Sequence, residues 1–507
     1  VGSLASIFVY PQAAEEYGFI QILLSISGIV FPFVLLGTSN LLVRYFPYFE
    51  NPEKKHSGFF VFILVLATGG VLLFFLIFPF VQSWLIDHYV SKDSLSKYAP
   101  YFAYLPWMIC FLTYIRLFAQ YGAVLKRIVI PNILERHLFK LAQPLLRLLL
   151  VFGVLGFRDV LNGILLVYAL ALLGLFFYIR SLDASFWAKP DFAAIRKVDF
   201  REMASFAVYG MLGGIGSQFA VQIDTLMVGA LVEIEGAGIY RIASFIADAV
   251  GLPYASLFAI SAPVIATAWK QKDMSQIEGI YQKSSLILTS VGLLLFLMAW
   301  FSFDQYIGAL VTGQGSQEGK DGDPKKGKIG IEGVARCPRE SKLSSVFIKG
   351  KYVFLMLGIS KLFRLFSSFN DHIILFSKYF RFSLYFMLLF AVGNYFMNLW
   401  LVPLYGLVGA ATATMISTVV FNLLKMSFIQ WRFKMLPGKR QSLYILLIAL
   451  LVALVAYILP AVGIPLVDIA LRSLIISLLF VTPILYFRIS PDLNELAGNL
   501  IDRIRSF

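Results

Sequence analysis

The sequence predicts an all-α, polytopic membrane protein: two pseudo-symmetric six-helix lobes followed by two appended C-terminal helices. Three observations predict it. Hydrophobic residues make up 59% of the chain and charged residues 14%, where a soluble domain carries about 25% charged residues. Apolar runs long enough to cross a hydrocarbon core, about 20 residues each, recur throughout. Lysine and arginine collect in alternate loops, which is the pattern that orients helices in a membrane. The net charge of +14 is therefore assigned to inner loops and polar cavity lining, not to nucleic acid. Two cysteines, Cys110 and Cys337, are too few for a disulfide framework, and Cys110 reads as a packing residue. No cleavable signal peptide is read.

The spans follow from hydropathy. Val1 to Tyr10 is expected to be the closing turns of a truncated helix 1. Helices 2 to 6 are expected at 18–46, 58–85, 98–125, 137–156 and 160–180, completing an N-terminal lobe over 1–180. A cytoplasmic linker covers 181–202. Helices 7 to 12 are expected at 203–232, 237–268, 280–311, 351–377, 380–402 and 405–431, within a second lobe over 203–432. Helices 13 and 14 fall at 441–460 and 465–487, inside a C-terminal segment and tail over 433–507. Placing the N-terminus inside puts Lys126, Arg127, Arg136, Lys140, Arg196, Lys197, Lys270, Lys272, Arg432, Lys434, Lys439 and Arg440 in inner loops. Glu15, Glu16, Asp87, Glu233, Glu235 and Asp468 then lie in outer ones.

One outer loop breaks this pattern. The polar insert 312–350 is rich in Gly, Ser and Lys and is expected to be a solvated, flexible linker. Its Asp321-Gly-Asp323 matches the metal-binding pair of sugar-nucleotide enzymes only in outline. Gly319-Lys320 lacks the spacing and the Ser/Thr of a phosphate loop.

Polar residues concentrate in a helical hairpin, Phe206 to Trp269, which contains Gln218, Gln222, Asp224, Arg241 and Asp248. An ionisable group inside a spanning helix costs several kcal/mol unless it faces a bundle interior or a wet cavity. The hairpin also carries an echo of the N-terminus. Glu15-Glu16-Tyr17-Gly18-Phe19-Ile20-Gln21-Ile22 parallels Glu235-Gly236-Ala237-Gly238-Ile239-Tyr240-Arg241-Ile242. Such a repeat is a plan common among transporters.

The pattern resembles the polysaccharide-flippase (Wzx-type) branch of the multidrug/oligosaccharidyl-lipid/polysaccharide exporter superfamily, which is MATE-like. The resemblance rests on Glu16-Tyr17-Gly18, on Leu36-Gly37-Thr38-Ser39-Asn40 through Arg44-Tyr45-Phe46-Pro47, and on Ile223-Asp224-Thr225-Leu226-Met227-Val228-Gly229. Asn398-Leu399-Trp400-Leu401-Val402-Pro403-Leu404-Tyr405-Gly406 through Gly409-Ala410-Ala411 completes it. It implies two lobes around a central cavity that alternate between inside-open and outside-open. The implied substrate is a polyprenyl-diphosphate-linked oligosaccharide for surface polysaccharide or lipopolysaccharide synthesis. The implied location is a bacterial inner membrane. Membrane lipid surrounds the protein, H+ or Na+ is the coupling-ion candidate, and a polysaccharide polymerase or glycosyltransferases are candidate partners of a monomer. No cofactor, metal or catalytic group is expected. Two features depart from the family pattern: the truncated first helix and the 312–350 insert.

A lipid diphosphate needs cationic partners across the bilayer, and arginine suits phosphate best because it is always charged and bidentate. The candidates are Arg44, Arg116, Arg147, Arg241, Lys361 and Arg364. Each has an alternative reading. Arg116 is equally a structural ion pair, Arg44 and Arg147 equally snorkel toward an interface, and Lys361 and Arg364 share one helix face. Asp224 reads either as an ion-pair partner of Arg241 or as a coupling site, and Asp248 can serve either role. Gln218 and Gln222 join the coupling candidates. Gly210, Gly213, Gly214, Gly216, Gly406 and Gly409 serve close packing or bending. Two rivals remain. A membrane enzyme is disfavoured because His56, His88, His137 and His372 are scattered. A MATE-type drug/cation antiporter would favour an acidic cavity.

Overall fold

The computed structural model describes residues 14–49, 51, 55–89, 95–125, 127, 129–183, 186–195, 200–232, 234–305, 338–377, 379–438, 440–459, 465–487 and 494. The truncated helix 1, Cys337, Asp321 and Asp323 lie outside them. The described residues are helical, with no strand among them. Among the described residues, eight helices are long and apolar enough to cross a membrane, and up to ten spans result if each of two bent pairs counts as one. The chain divides into two units, Val1–Arg241 and Ile242–Phe507.

In the first unit the major helices are α1 (Ala14–Val34), α2 (Thr38–Phe49), α3 (Phe59–Tyr89), α4 (Leu105–Val124), α5 (Leu138–Val151), α6 (Phe157–Leu182) and α7 (Phe200–Leu231). The expected continuous helix 2 is instead broken into α1 and α2. Leu36 and Gly37 take positive φ values of 52° and 69°, which ends a right-handed helix. A Cβ on Gly37 would collide with the Ala207 carbonyl, so a bare backbone is required where α7 crosses this turn. Gly18 likewise lets α1 touch the backbone of Ile234 and Gly238. The expected helix 5 starts as a π-helical turn, Ile133–His137, before α5. Lys97 bonds Glu15 and Glu16 at 3.2 and 3.4 Å. Burial opposes the Lys97 charge, but its hydrogen bonds to Tyr98 and Glu15 prevail and raise its pKa. Aromatic packing fills this end: Phe19 stacks on Tyr98 at 4.6 Å and meets Phe102 edge-on. Cys110 packs beside Val34, Val71 and Ile109, as expected of a core thiol.

Helix α8 (Ile234–Val250) spans the division between the units. The expected single helix 8 stops at Gly251, and α9 (Leu252–Gln271) begins there with Pro253 in its first turn. Proline lacks an N–H and is tolerated at that position, where the donor would be unused.

The second unit continues with α10 (Met274–Phe301), α11 (Pro338–Phe366), α12 (Asn370–Phe376), α13 (Phe380–Phe433), α14 (Arg440–Ile458) and α15 (Pro465–Tyr486). The start of α11 corrects the expectation for the insert, because the stretch from Pro338 onward is helix and not linker. Pro338 is favoured at a first helical position, and neither Gly nor Pro interrupts the chain until Gly350. The expected helix 10 bends by 43° after Phe366, where Ser368 takes φ 47°. The 54 residues of α13 would reach about 80 Å at 1.5 Å per residue, far beyond a bilayer of about 30 Å. Gly406, at φ 58° and ψ −131°, divides them into two helices, matching the turn expected between helices 11 and 12. The appended helices α14 and α15 pack on α10 through Leu286, Leu297, Ile445, Ala449, Ile476 and Phe480.

Gly37 and Gly153 share φ 69°, but nothing lies within 4 Å of a Cβ built on Gly153. Gly153→Ala should therefore cost only the left-handed backbone penalty, about 1–2 kcal/mol. Gly37→Ala should cost more, because Ala207 must also move. Parallel thermal melts of the two purified variants check this, and equal melting temperatures would contradict it.

Candidate functional site

In the first unit, a cavity of about 640 Å³ opens where the α1–α2 turn, α4, the π-helical turn and α7 meet. Its wall carries Pro32, Gly37, Ser39 and Asn40, then Arg116, Glu135 and Gln218. Gly210, Gly213 and Gly214 of α7 line it too. A side chain on Gly210 would run into Asn40, and one on Gly214 would press on Pro32, so the glycines leave room as well as allowing approach. Arg116 Nη1 donates to Glu135 Oε1 at 2.8 Å, with the side chains 35% and 17% exposed. Arg116 therefore both lines the cavity and holds an ion pair.

Arg44 donates to Glu202 Oε1 at 2.7 Å on an exposed surface, and its guanidinium lies 4.4 Å over the Phe206 ring. Arg147 does not snorkel. It is 3% exposed and its guanidinium sits 4.2 Å from the Tyr17 ring. The charge of Arg241 acts on the same Tyr17 phenol. Asp224 is 6% exposed and accepts a hydrogen bond from Tyr240 Oη at 3.0 Å. Gln222 accepts from Ser25 Oγ at 3.0 Å, and Gly28 leaves space beside Gln218 and Gln222.

In the second unit, Lys361 pairs with Asp248 at 2.6 Å. Arg364, one turn further along α11, lies 5.5 Å over the Tyr254 ring. Tyr254 Oη is within hydrogen-bond distance of His372 Nδ1 at 3.1 Å. Lys425 of α13 pairs with Asp371 of α12 at 2.6 Å. Tyr281 bonds Asn370 in the same region. Lys361 and Arg364 do share a face, as expected from their spacing.

Several charged residues escaped the sequence reading. Glu135 adjoins Arg136 of a basic inner loop, and Asp371 and His372 lie near the end of the expected helix 351–377. Lys425 and Arg472 lie inside apolar runs, a signal that should have singled them out. Asp468, expected in an outer loop, is instead buried in α15 and accepts from Arg472 Nε at 2.9 Å. Among the described residues, no group of three His, Cys, Asp or Glu side chains is placed to hold a metal ion.

Long apolar helices, broken by glycine turns and enclosing paired charges, define a multi-pass helical membrane protein. The solved structures similar to it include a lipid II flippase, MurJ, in an inward closed conformation, at TM-score 0.65 and 13% identity, covering 95% of this chain and 97% of that one. A multidrug resistance MATE family transporter of the MOP superfamily, inward-facing, matches at TM-score 0.62 and 12% identity, covering 86% and 95%. A MOP superfamily transporter from Pyrococcus furiosus, described as having reversed binding-pocket polarity, matches at 0.52 and 13%, covering 85% and 91%. No curated protein matches the sequence. Residues 13–269 match the family model for polysaccharide biosynthesis proteins, and the chain belongs to that family.

Tyr240→Phe removes one donor to a buried carboxylate and should cost about 1–3 kcal/mol. Lys361→Met opens a partly exposed pair and should cost less than about 1 kcal/mol. Thermal melts of the two variants test this order, and a larger loss for Lys361→Met would contradict it.

Proposed function

We propose that the chain is a flippase. It moves a polyprenyl-diphosphate-linked oligosaccharide from the inner to the outer leaflet of a bacterial cytoplasmic membrane by alternating access, with its N-terminus inside. The observation that carries this reading is Arg116 on the wall of a polar cavity, among long apolar helices. A guanidinium in that setting is costly to maintain, and an anionic ligand gives it a use. Membership of the polysaccharide biosynthesis family supports a glycan-bearing substrate. The diphosphate would meet Arg116 in the cavity, with Arg44 a further cation of the first unit, and Lys361 and Arg364 are the cationic candidates within the second unit. Arg147 and Arg241 hold the Tyr17 region, and Asp224 is the candidate for coupling to H+ or Na+. The protein acts on bonds to no atom of its substrate, works as a monomer, and passes its product to polymerase or glycosyltransferase partners.

A drug/cation antiporter is the second reading, favoured by the carboxylates of Glu135 in the cavity and Asp224 in α7. Gene deletion separates the two. A flippase loss leaves lipid-linked oligosaccharide on the inner leaflet, restored by the wild type and restored at least tenfold less well by Arg116→Ala, the scale of one lost charge-assisted contact of about 1.4 kcal/mol or more. Unchanged glycolipid together with greater sensitivity to cationic drugs would replace the flippase reading with the antiporter. In proteoliposomes, Asp224→Asn should transport without responding to an imposed ion gradient. A response equal to that of the wild type would leave Asp224 a purely structural role.

A further inference from the structure

Resting on the flippase reading, we infer that Glu135 is the resident anion of the first unit's cavity: it occupies the phosphate position on Arg116 and yields it when a diphosphate enters. Arg116 and Glu135 are the charged residues among those lining the cavity. The rest of the wall is Gly, Pro, Ser, Asn, Gln, Met, Leu and Phe. Among the described lining residues, an arriving anion therefore finds one cation, and that cation is already held. The hold is incomplete. A guanidinium has five N–H donors in a planar fork, and the bond to Glu135 uses one nitrogen and one oxygen at 2.8 Å. A diphosphate offers more oxygens and more charge, and it can engage the fork through two parallel bonds.

The element carrying Glu135 suits a group that must move. Glu135 lies in the middle of the π-helical turn Ile133–His137, between a short helix containing Pro131 and the start of α5. A π turn is a rare, single-turn departure from α geometry, often found at functional sites. Reverting to the α register turns a side chain about the helix axis, and so swings Glu135 away from Arg116 without unfolding α5. Arg116, by contrast, projects from the interior of the 20-residue α4, packed on several neighbours, and stays in place.

The pair also explains how the cavity can stay charged in an apolar lobe while empty. A neutral Arg–Glu pair costs far less in low dielectric than a lone cation. The arrangement acts as a filter. Neutral glycans offer nothing that competes with a carboxylate, and a monocarboxylate competes only on equal terms. A phosphate dianion out-competes both. Glu135 thus sets a threshold that selects the diphosphate head of the substrate.

The test uses the full-length purified protein and inorganic pyrophosphate as probe, with affinity read by calorimetry. Glu135→Gln should bind pyrophosphate about tenfold tighter than the wild type, equivalent to about 1.4 kcal/mol. Glu135→Asp, with a shorter reach to Arg116, should fall between them and decides the matter if the Gln variant does not fold. Arg116→Gln should bind no pyrophosphate, alone or combined with Glu135→Gln. Affinity unchanged or weakened in both folded Glu135 variants would overturn the inference, as would tight binding that survives Arg116→Gln. Flipping of lipid-linked oligosaccharide in proteoliposomes is measured alongside. Flipping by the wild type with no affinity gain in the variants removes the resident anion and keeps the flippase. An affinity gain in a protein that flips nothing removes the flippase and keeps the resident anion.

Discussion

Everything else in the structure depends on how it balances charge inside apolar helices. Hydrocarbon offers a charged side chain no solvation, so each such group must find its compensation within the protein. Four of the pairs that tie one element to another are Arg44 to Glu202, Arg116 to Glu135, Lys361 to Asp248 and Lys425 to Asp371. A fifth, Arg472 to Asp468, lies within α15 and is the most enclosed, with Arg472 also donating to the Leu459 carbonyl at 3.0 Å. Their energies differ although their distances are similar. The Arg44 pair is about half exposed and contributes at most about 1 kcal/mol. Breaking the Arg472 pair would strand a buried charge at about 3–5 kcal/mol.

The breaks in the helices follow from equally local rules. The chain turns where a residue can adopt positive φ or where proline forbids continuation: at Leu36–Gly37, before Pro253, at Ser368 and at Gly406. The first three separate helical pieces that hydropathy alone joins into one. At Gly37 the turn does two things at once. It admits the Ala207 carbonyl of α7, and it sets Ser39 and Asn40 on the cavity wall. The backbone constraint that packs α7 here also shapes the polar space beside Arg116.

The helical membrane fold and the family were legible because both rest on long-range patterns, hydropathy and motif order, that single substitutions barely alter. The Gly406 turn was legible too, since Pro403 and Gly406 mark it. The breaks at Leu36–Gly37 and Ser368 were less so, because nothing in hydropathy registers a change in φ. Among candidate residues, Arg116 was found from its depth in an apolar run. Its partner was not. Glu135 sits 19 residues away among Arg136 and Lys140, where its charge reads as part of a wet loop. Lys425 and Asp371 were missed for a related reason: 54 residues separate them, and only the packing of α12 on α13 brings them together.

Exposure separates cations that sequence alone ranks together. Arg116 and Arg147 both follow apolar runs and both are arginines on helices of the first unit. Arg147 is buried against an aromatic ring, a contact that is itself strengthened by desolvation, so an incoming anion could reach it only by prising apart α1 and α5. Arg116 is a third exposed, faces a cavity large enough for a ligand head group, and leans on a carboxylate held by a π-helical turn. The first arrangement gives rigidity, and the second leaves a cation whose partner can be exchanged. A charge kept in the membrane for architecture should be sealed in by its surroundings, whereas one kept for a passing anion must be paired loosely enough to be taken. Of the two, only Arg116 meets that second condition.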